Sequence, residues 1–244
     1  MFKRSLLGLL CLPLSAMALD LGAMSDDDRL LLRQEIRAYL LENPQVILEA
    51  VSRLERQQEA AKAQADFDLV RQNAAEIFND GYSYVGGNPE GDITLVEFMD
   101  YRCGYCKKAF QDVEKLVKTD GNIRFVVKEF PILGPQSTLA AQFAVATKQV
   151  AGDAGYKAVH DALMSLRGDV TRVALGRLAT GLGLNAEAIE ARMDHPAVGE
   201  EIARTRALAQ ALKITGTPTF VLDDEMLRGY LPFDAMQAVV AQKR

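Results

Sequence analysis

The chain lacks tryptophan altogether and holds only two histidines and three cysteines in 244 residues. So few cysteines cannot lace a chain of this length, which excludes a disulfide-framework fold. The histidines, His160 and His195, stand at spacings unlike any zinc finger. Positive charge is also short: 28 Lys and Arg against 33 Asp and Glu give a net charge of −5. A nucleic-acid partner, which needs a basic face to neutralise phosphates, is therefore not expected. Repeats and biased stretches are missing, and 49% hydrophobic with 25% charged residues is ordinary globular composition. Beyond the first residues no apolar run is long enough to span a bilayer.

What is present begins at the N-terminus. Lys3 and Arg4, the apolar stretch Leu6 to Leu14 and the small-residue box Ala16-Met17-Ala18 form the pattern of a cleaved secretory signal peptide over residues 1–18. The apolar stretch falls well short of the ~20 residues a membrane span requires. Cys11 sits inside it with no small-residue box ahead, which argues against a lipoprotein anchor. Cleavage leaves Cys103 and Cys106, in a protein expected in an oxidising, extracytoplasmic space.

The spacing then predicts a helix over Asp26 to Glu42, acidic at its start. Asn43-Pro44 reads as a cap and first-turn proline that restart a second helix, free of Gly and Pro to about Asn79. Along it Ile47, Val51, Leu54, Gln58, Ala61 and Ala65 alternate steps of four and three, the seam of a self-associating helix. Residues 19–80 are therefore expected to form an oligomerisation stalk; the alternative is a solvated helix lying across the domain. Residues 81–244 are expected to form one α/β domain. Strands are predicted at Ser83 to Val85, Ile93 to Met99, Ile123 to Lys128, Thr219 to Leu222 and Met226 to Gly229. Helices are predicted at Cys103 to about Lys118 and Phe233 to Ala241, and an Ala-rich helical block over residues 137–212 is an insertion.

The chemistry lies in Cys103-Gly104-Tyr105-Cys106, just after a predicted strand and opening a helix. A sulfur at a helix N-cap faces unpaired amides and the positive end of the dipole, which favour thiolate over thiol. Two intervening residues let Cys106 reach back, and the small ring so closed adds little stability, so redox exchange explains it best. Cys103 is expected to be the exposed attacker and Cys106 the buried resolving thiol. A structural disulfide, a zinc site and haem attachment compete poorly; the last needs His where the chain has Lys107. Glu97 shares a strand face with Leu95 and Met99, where a buried carboxylate could accept the Cys106 proton, with Lys128 as its charge partner. Either residue could equally be a solvent-facing charge at a strand edge. Thr217-Pro218 precedes a β-like run, and a cis peptide there would leave the Thr217 backbone to pair with a bound peptide.

Phe98-Met99-Asp100-Tyr101-Arg102-Cys103-Gly104-Tyr105-Cys106, Lys128-Glu129-Phe130-Pro131 and Gly216-Thr217-Pro218-Thr219-Phe220 together resemble the DsbA family of thioredoxin-fold oxidoreductases. The N-terminal region, including Tyr39-Leu40-Leu41-Glu42-Asn43-Pro44, is similar to that of the ScsC-like subgroup. The resemblance implies a thioredoxin fold with an inserted helical domain and an N-terminal oligomerising segment. It implies Cys103 as nucleophile, Cys106 as resolving thiol, Glu97 as buried acid paired with Lys128, and Thr217-Pro218, beside Gly104 and Tyr105, as the substrate-binding surface. No cofactor is implied beyond the cysteine pair. The implied function is a disulfide isomerase or reductase acting on secreted proteins, kept reduced by a DsbD-type membrane partner. A dithiol oxidase recycled by a DsbB-type partner is the alternative, although Gly104-Tyr105 departs from the Pro-His of strongly oxidising members. A non-catalytic secreted binding protein is the third reading.

Overall fold

A computed structural model of the protein describes residues 24–244; the expected signal peptide, with Cys11, lies outside the described residues. The chain divides into two compact units at Gln58 and Glu59.

In the first unit, α1 (Asp26–Glu42) starts at Ser25, whose hydroxyl accepts from the Asp28 amide while the Asp28 carboxylate accepts from the Ser25 amide. This reciprocal box satisfies two of the orphan donors of a helix start. Asn43 ends α1, and α2 (Gln45–Gln72) begins after Pro44. The apolar side chains are uncovered: Leu30, Ile36, Tyr39 and Leu41 on α1, and Ile47, Val51 and Leu54 on α2, which are 46–54% exposed.

The second unit claims more of the N-terminal segment than the stalk expectation allowed. Asn73 breaks the long helix, its side-chain amide donating to the Leu69 carbonyl (2.8 Å), and α3 (Ala74–Phe78) follows. Val70 and Ile77 are buried in the core of this unit. The compact units thus divide near residue 58, whereas the expected stalk ran to residue 80, because after Ala61 and Ala65 the apolar positions return as packing residues.

The sheet runs β1 (Tyr84–Gly87), β3 (Ile123–Glu129), β2 (Ile93–Met99), β4 (Thr219–Leu222), β5 (Glu225–Arg228). The β2–β3 pair is parallel, and β1, β4 and β5 join antiparallel. Both central strands are β-branched or apolar almost throughout, as a sheet covered on both faces requires. One face carries Leu95, Met99, Phe125, Val127 and Phe220, and buries α4 (Gly104–Asp120) and α9 (Phe233–Lys243). The same core holds the inserted helices α5 (Pro135–Ser165, kinked at Gly152, φ 71°), α6 (Arg172–Gly181), α7 (Ala186–Met193) and the start of α8 (Pro196–Ala211). The opposite face carries Val96, Phe98, Val126 and Val221, against Val70, Ile77, Leu208 and Leu212. The sheet, covered on both faces and carrying a helical insertion between β3 and β4, is the α/β architecture expected from the sequence.

Candidate active site

Cys103 occupies the N-cap of α4 with extended backbone (φ −75°, ψ 118°), and its sulfur accepts from the Cys106 amide at 3.3 Å. As a thiol it donates to the Thr217 carbonyl at 3.2 Å. Cys103 keeps 7% of its surface exposed and Cys106 none, so the attacker is a narrow window and not the exposed side chain expected. Both cysteines are free thiols. The hydrogen bond from the Cys106 thiol, helped by the Thr217 side chain and the Cys106 and Tyr105 amides, outweighs desolvation and brings the Cys103 pKa down to about 5. The same bond, with burial, pushes Cys106 far up. At neutral pH the pair is thus one thiolate and one thiol, the division of labour an exchange reaction needs.

Glu97 lies on the Cys106 side of the sheet, 2% exposed, with its Oε1 unpartnered. Burial, with the Cys103 charge adding to it, raises its pKa from 4.5 to about 8. The expected pairing with Lys128 is wrong. In the β2–β3 register Glu97 lies opposite Val127, while Lys128 lies opposite Phe98, so the two charges point through opposite faces of the sheet. Lys128 Nζ instead donates to Asp80 Oδ2 (2.6 Å) and the Glu76 carbonyl (2.7 Å). Lys128 is therefore remote from the sulfur chemistry.

A second buried carboxyl, Glu129, is likewise raised by desolvation to about 8. Groups whose folded pKa is raised contribute stability that is present below their unfolded value, near 4.5 here, and is lost as pH rises through 8. Cys103, whose pKa is depressed, acts oppositely: its contribution is present above about 9 and is lost as pH falls through 5. Buried His160, held neutral down to about pH 3, offsets a further proton below about pH 6.5, so two protons against one leave the reduced protein losing about 1.4 kcal/mol per pH unit between roughly pH 6.5 and 8. Glu97→Gln should flatten that fall, which urea titrations at a series of pH values would read; an unaltered slope would refute the assignment.

The Thr217-Pro218 peptide is cis, and the Thr217 carbonyl faces the sulfur. Gly104 is exposed; Tyr105 is 64% exposed and stacks on Tyr230 at 6.4 Å. Sequence reasoning missed Asp100. Its buried carboxylate accepts from the amides of Arg102 (2.7 Å), Ile132 (2.8 Å) and Leu133 (3.0 Å), binding the turn before Cys103 to a loop with two exposed apolar side chains. A short acidic side chain immediately before a helix start was the available signal. Among the described residues no group of three or more His, Cys, Asp or Glu is arranged to hold a metal.

A cysteine pair at a helix start, a cis-proline loop across from it and a buried acid beneath define a thioredoxin-fold dithiol centre. The sequence profile of the DSBA-like thioredoxin domain matches residues 94–241, and that of the copper resistance protein ScsC N-terminal domain matches residues 28–61. The chain belongs to the DsbA-like thioredoxin family. A thioredoxin-like oxidoreductase from Silicibacter pomeroyi is 41% identical, with a TM-score of 0.65 over 70% of this chain and 96% of that one. A periplasmic thioredoxin-like protein from Salmonella enterica serovar Typhimurium is 29% identical, with a TM-score of 0.63 over 70% and 94%. A curated relative, the Na(+)/H(+) antiporter NhaA of Herminiimonas arsenicoxydans, is 30% identical over 162 residues, 66% of this chain and 25% of that protein. The chain spans about a quarter of the length of the curated relatives it first matches.

Proposed function

We propose that the protein is a periplasmic disulfide isomerase or reductase that works as a homo-oligomer. The observation that carries the reading is the thiolate at Cys103 beside a protonated, covered Cys106. The Cys103 thiolate attacks one sulfur of a wrong disulfide in a secreted client, forming a mixed disulfide and releasing a client thiolate. A different client thiolate then attacks the client sulfur of the mixed disulfide, which rearranges the client and returns Cys103 as thiolate. Where none does, Cys106 gives its proton to Glu97 and attacks the Cys103 sulfur, reducing the client and leaving a Cys103–Cys106 disulfide. Formation of the mixed disulfide removes the Cys103 charge that had helped raise Glu97, so the carboxyl releases its proton to solvent more readily and stands ionised to accept that of Cys106. A DsbD-type membrane reductant then restores the pair.

The uncovered apolar rows of α1 and of α2 up to Leu54 support self-association, since monomers rarely leave such continuous rows in water. Gathering several thiolates around one client raises the effective catalyst concentration. The leader pattern of residues 1–18 supports export.

The test is refolding of a scrambled-disulfide protein beside a dithiol-oxidation assay, on the full chain and on residues 59–244. The full chain should sediment as an oligomer and refold the scrambled protein several-fold faster per active site; the shorter chain should be a monomer with its dithiol chemistry intact. Faster dithiol oxidation than refolding, with Cys103 mostly oxidised in cells, would make the protein an oxidase. No client captured as a mixed disulfide by Cys106→Ala would leave it a binding protein.

A further inference from the structure

The three residues that carry the chain from β2 to Cys103 are each tied down by their side chains. Asp100 holds the Ile132–Leu133 loop. Arg102, at the surface, reaches the Gly168 carbonyl (2.6 Å), and Lys107 one turn into α4 reaches that of Leu166. Tyr101, 2% exposed, is held most completely: its hydroxyl donates to Glu129 Oε1 (2.7 Å) and lies 3.1 Å from His160 Nδ1. The phenol proton is committed to Glu129, so His160 carries its proton on Nδ1 and donates to the phenol oxygen. His160 is boxed by the rings of Tyr101, Phe110 and Tyr156. Burial holds it neutral, its pKa brought down to about 3, so the donor is retained through the working pH range. Tyr156 also donates to Glu129 Oε1 (2.6 Å) but contacts no residue of the turn through that bond.

We propose that Tyr101 is a positioning residue for the exchange reaction: its hydroxyl, clamped between Glu129 of β3 and His160 of the helical insertion, locks the turn that seats Cys103 Sγ over the first amides of α4. The proposal rests on the thiol-exchange reading and gives the insertion a part in it, as one jaw of the clamp. Every group that stabilises the Cys103 anion, namely the amides of Tyr105 and Cys106, the Cys106 thiol and Thr217, is effective only while the sulfur stays at the cap. The turn itself has a single backbone bond, from the Cys103 amide to the Asp100 carbonyl (3.0 Å). Loss of the phenol hydroxyl frees the middle of that turn on its buried side.

The experiment compares the full chain with Tyr101→Phe and Tyr156→Phe, each of which removes one phenol donor to Glu129 and keeps the ring. The rate of iodoacetamide alkylation of Cys103 against pH gives its ionisation, and melting gives stability. Tyr101→Phe should move the Cys103 ionisation up by about one pH unit, a roughly tenfold loss of thiolate in acid. Tyr156→Phe should lower stability comparably and leave the ionisation in place. An unchanged ionisation in Tyr101→Phe, or an equal rise in both variants, overturns the clamp and leaves the network a packing device. Should Tyr101→Phe fail to fold, His160→Phe keeps the aromatic box, removes the other jaw and carries the same two outcomes. Failure of the exchange reading shows separately, as an unaltered protein whose Cys103 ionises like a free thiol.

Discussion

Cys103→Ser is expected to lower thiol–disulfide exchange to below about one part in 10⁴ of the native rate, the scale on which loss of an activated nucleophile is felt. Its fold should survive. The native sulfur sits at an N-cap and accepts from the Cys106 amide, and serine is among the best residues at such a position. The loss would therefore be chemical, because a hydroxyl at this site neither ionises nor exchanges with sulfur. The pH profile sharpens the expectation. The native rate should follow the thiolate and bend near pH 5, where Cys103 takes up its proton. Because the Cys106 thiol is the largest of the forces holding that pKa down, Cys106→Ala should move the bend toward higher pH while still forming mixed disulfides. Alkylation rates across the pH range measure both. A bend near that of free cysteine in the native protein would remove the physical basis of the mechanism.

Much of this centre can be read from local pattern. The run Ile93 to Met99 announces a buried strand, and a cysteine immediately before a helical pattern announces a capped thiolate. Alternation within β2 puts Glu97 on the face of Leu95 and Met99, which is where it lies. That counting works because a single strand's parity is local. The partner of Glu97 is different in kind, since which residue of β3 shares its face depends on register between strands, and a shift of one residue exchanges Val127 for Lys128. The extent of the stalk is unreadable for a related reason. No glycine or proline interrupts the segment from Pro44 to Asn79, so nothing local marks where α2 stops presenting an open seam and starts supplying Val70 to a core. Glu129 and His160 stand 28 and 59 positions after Tyr101 along the chain, and only packing of the insertion brings the three together. The local features thus give the reacting atoms, and the tertiary contacts give the groups that hold them.

The largest stability effect expected outside the redox centre is at Asp80. Asp80→Ala should destabilise the protein by about 3–5 kcal/mol, the usual consequence of removing one member of a buried ion pair. Lys128 has no exposed side-chain surface and Asp80 4%, and their atoms meet at 2.6 Å. Burial alone pushes both toward their neutral forms; their hydrogen bond nevertheless holds Asp80 below the usual carboxylate range, while Lys128 still ends below its ordinary value. Without Asp80 the ammonium keeps only the Glu76 carbonyl and the face of Tyr82, 5.6 Å from the ring centre. Asp80 also accepts from the Tyr82 and Ser83 amides, so part of the cost is a loosened turn between α3 and β1. Asp80→Ala combined with Lys128→Met should recover most of the loss, since an apolar pair of similar volume is often as stable as a buried ionic one. Activity per folded molecule and the Cys103 ionisation should be unchanged in both variants, because the pair lies behind the sheet from Glu97. Urea unfolding and alkylation kinetics measure the two halves separately. A shift of Cys103 ionisation on Lys128→Met, with Asp80→Ala harmless, would mean that Lys128 serves Glu97 after all. The same pair decides where the chain can be cut: residues 59–244 keep Val70, Ile77 and Asp80 and should fold, whereas a chain starting at Gly81 loses all three and should not.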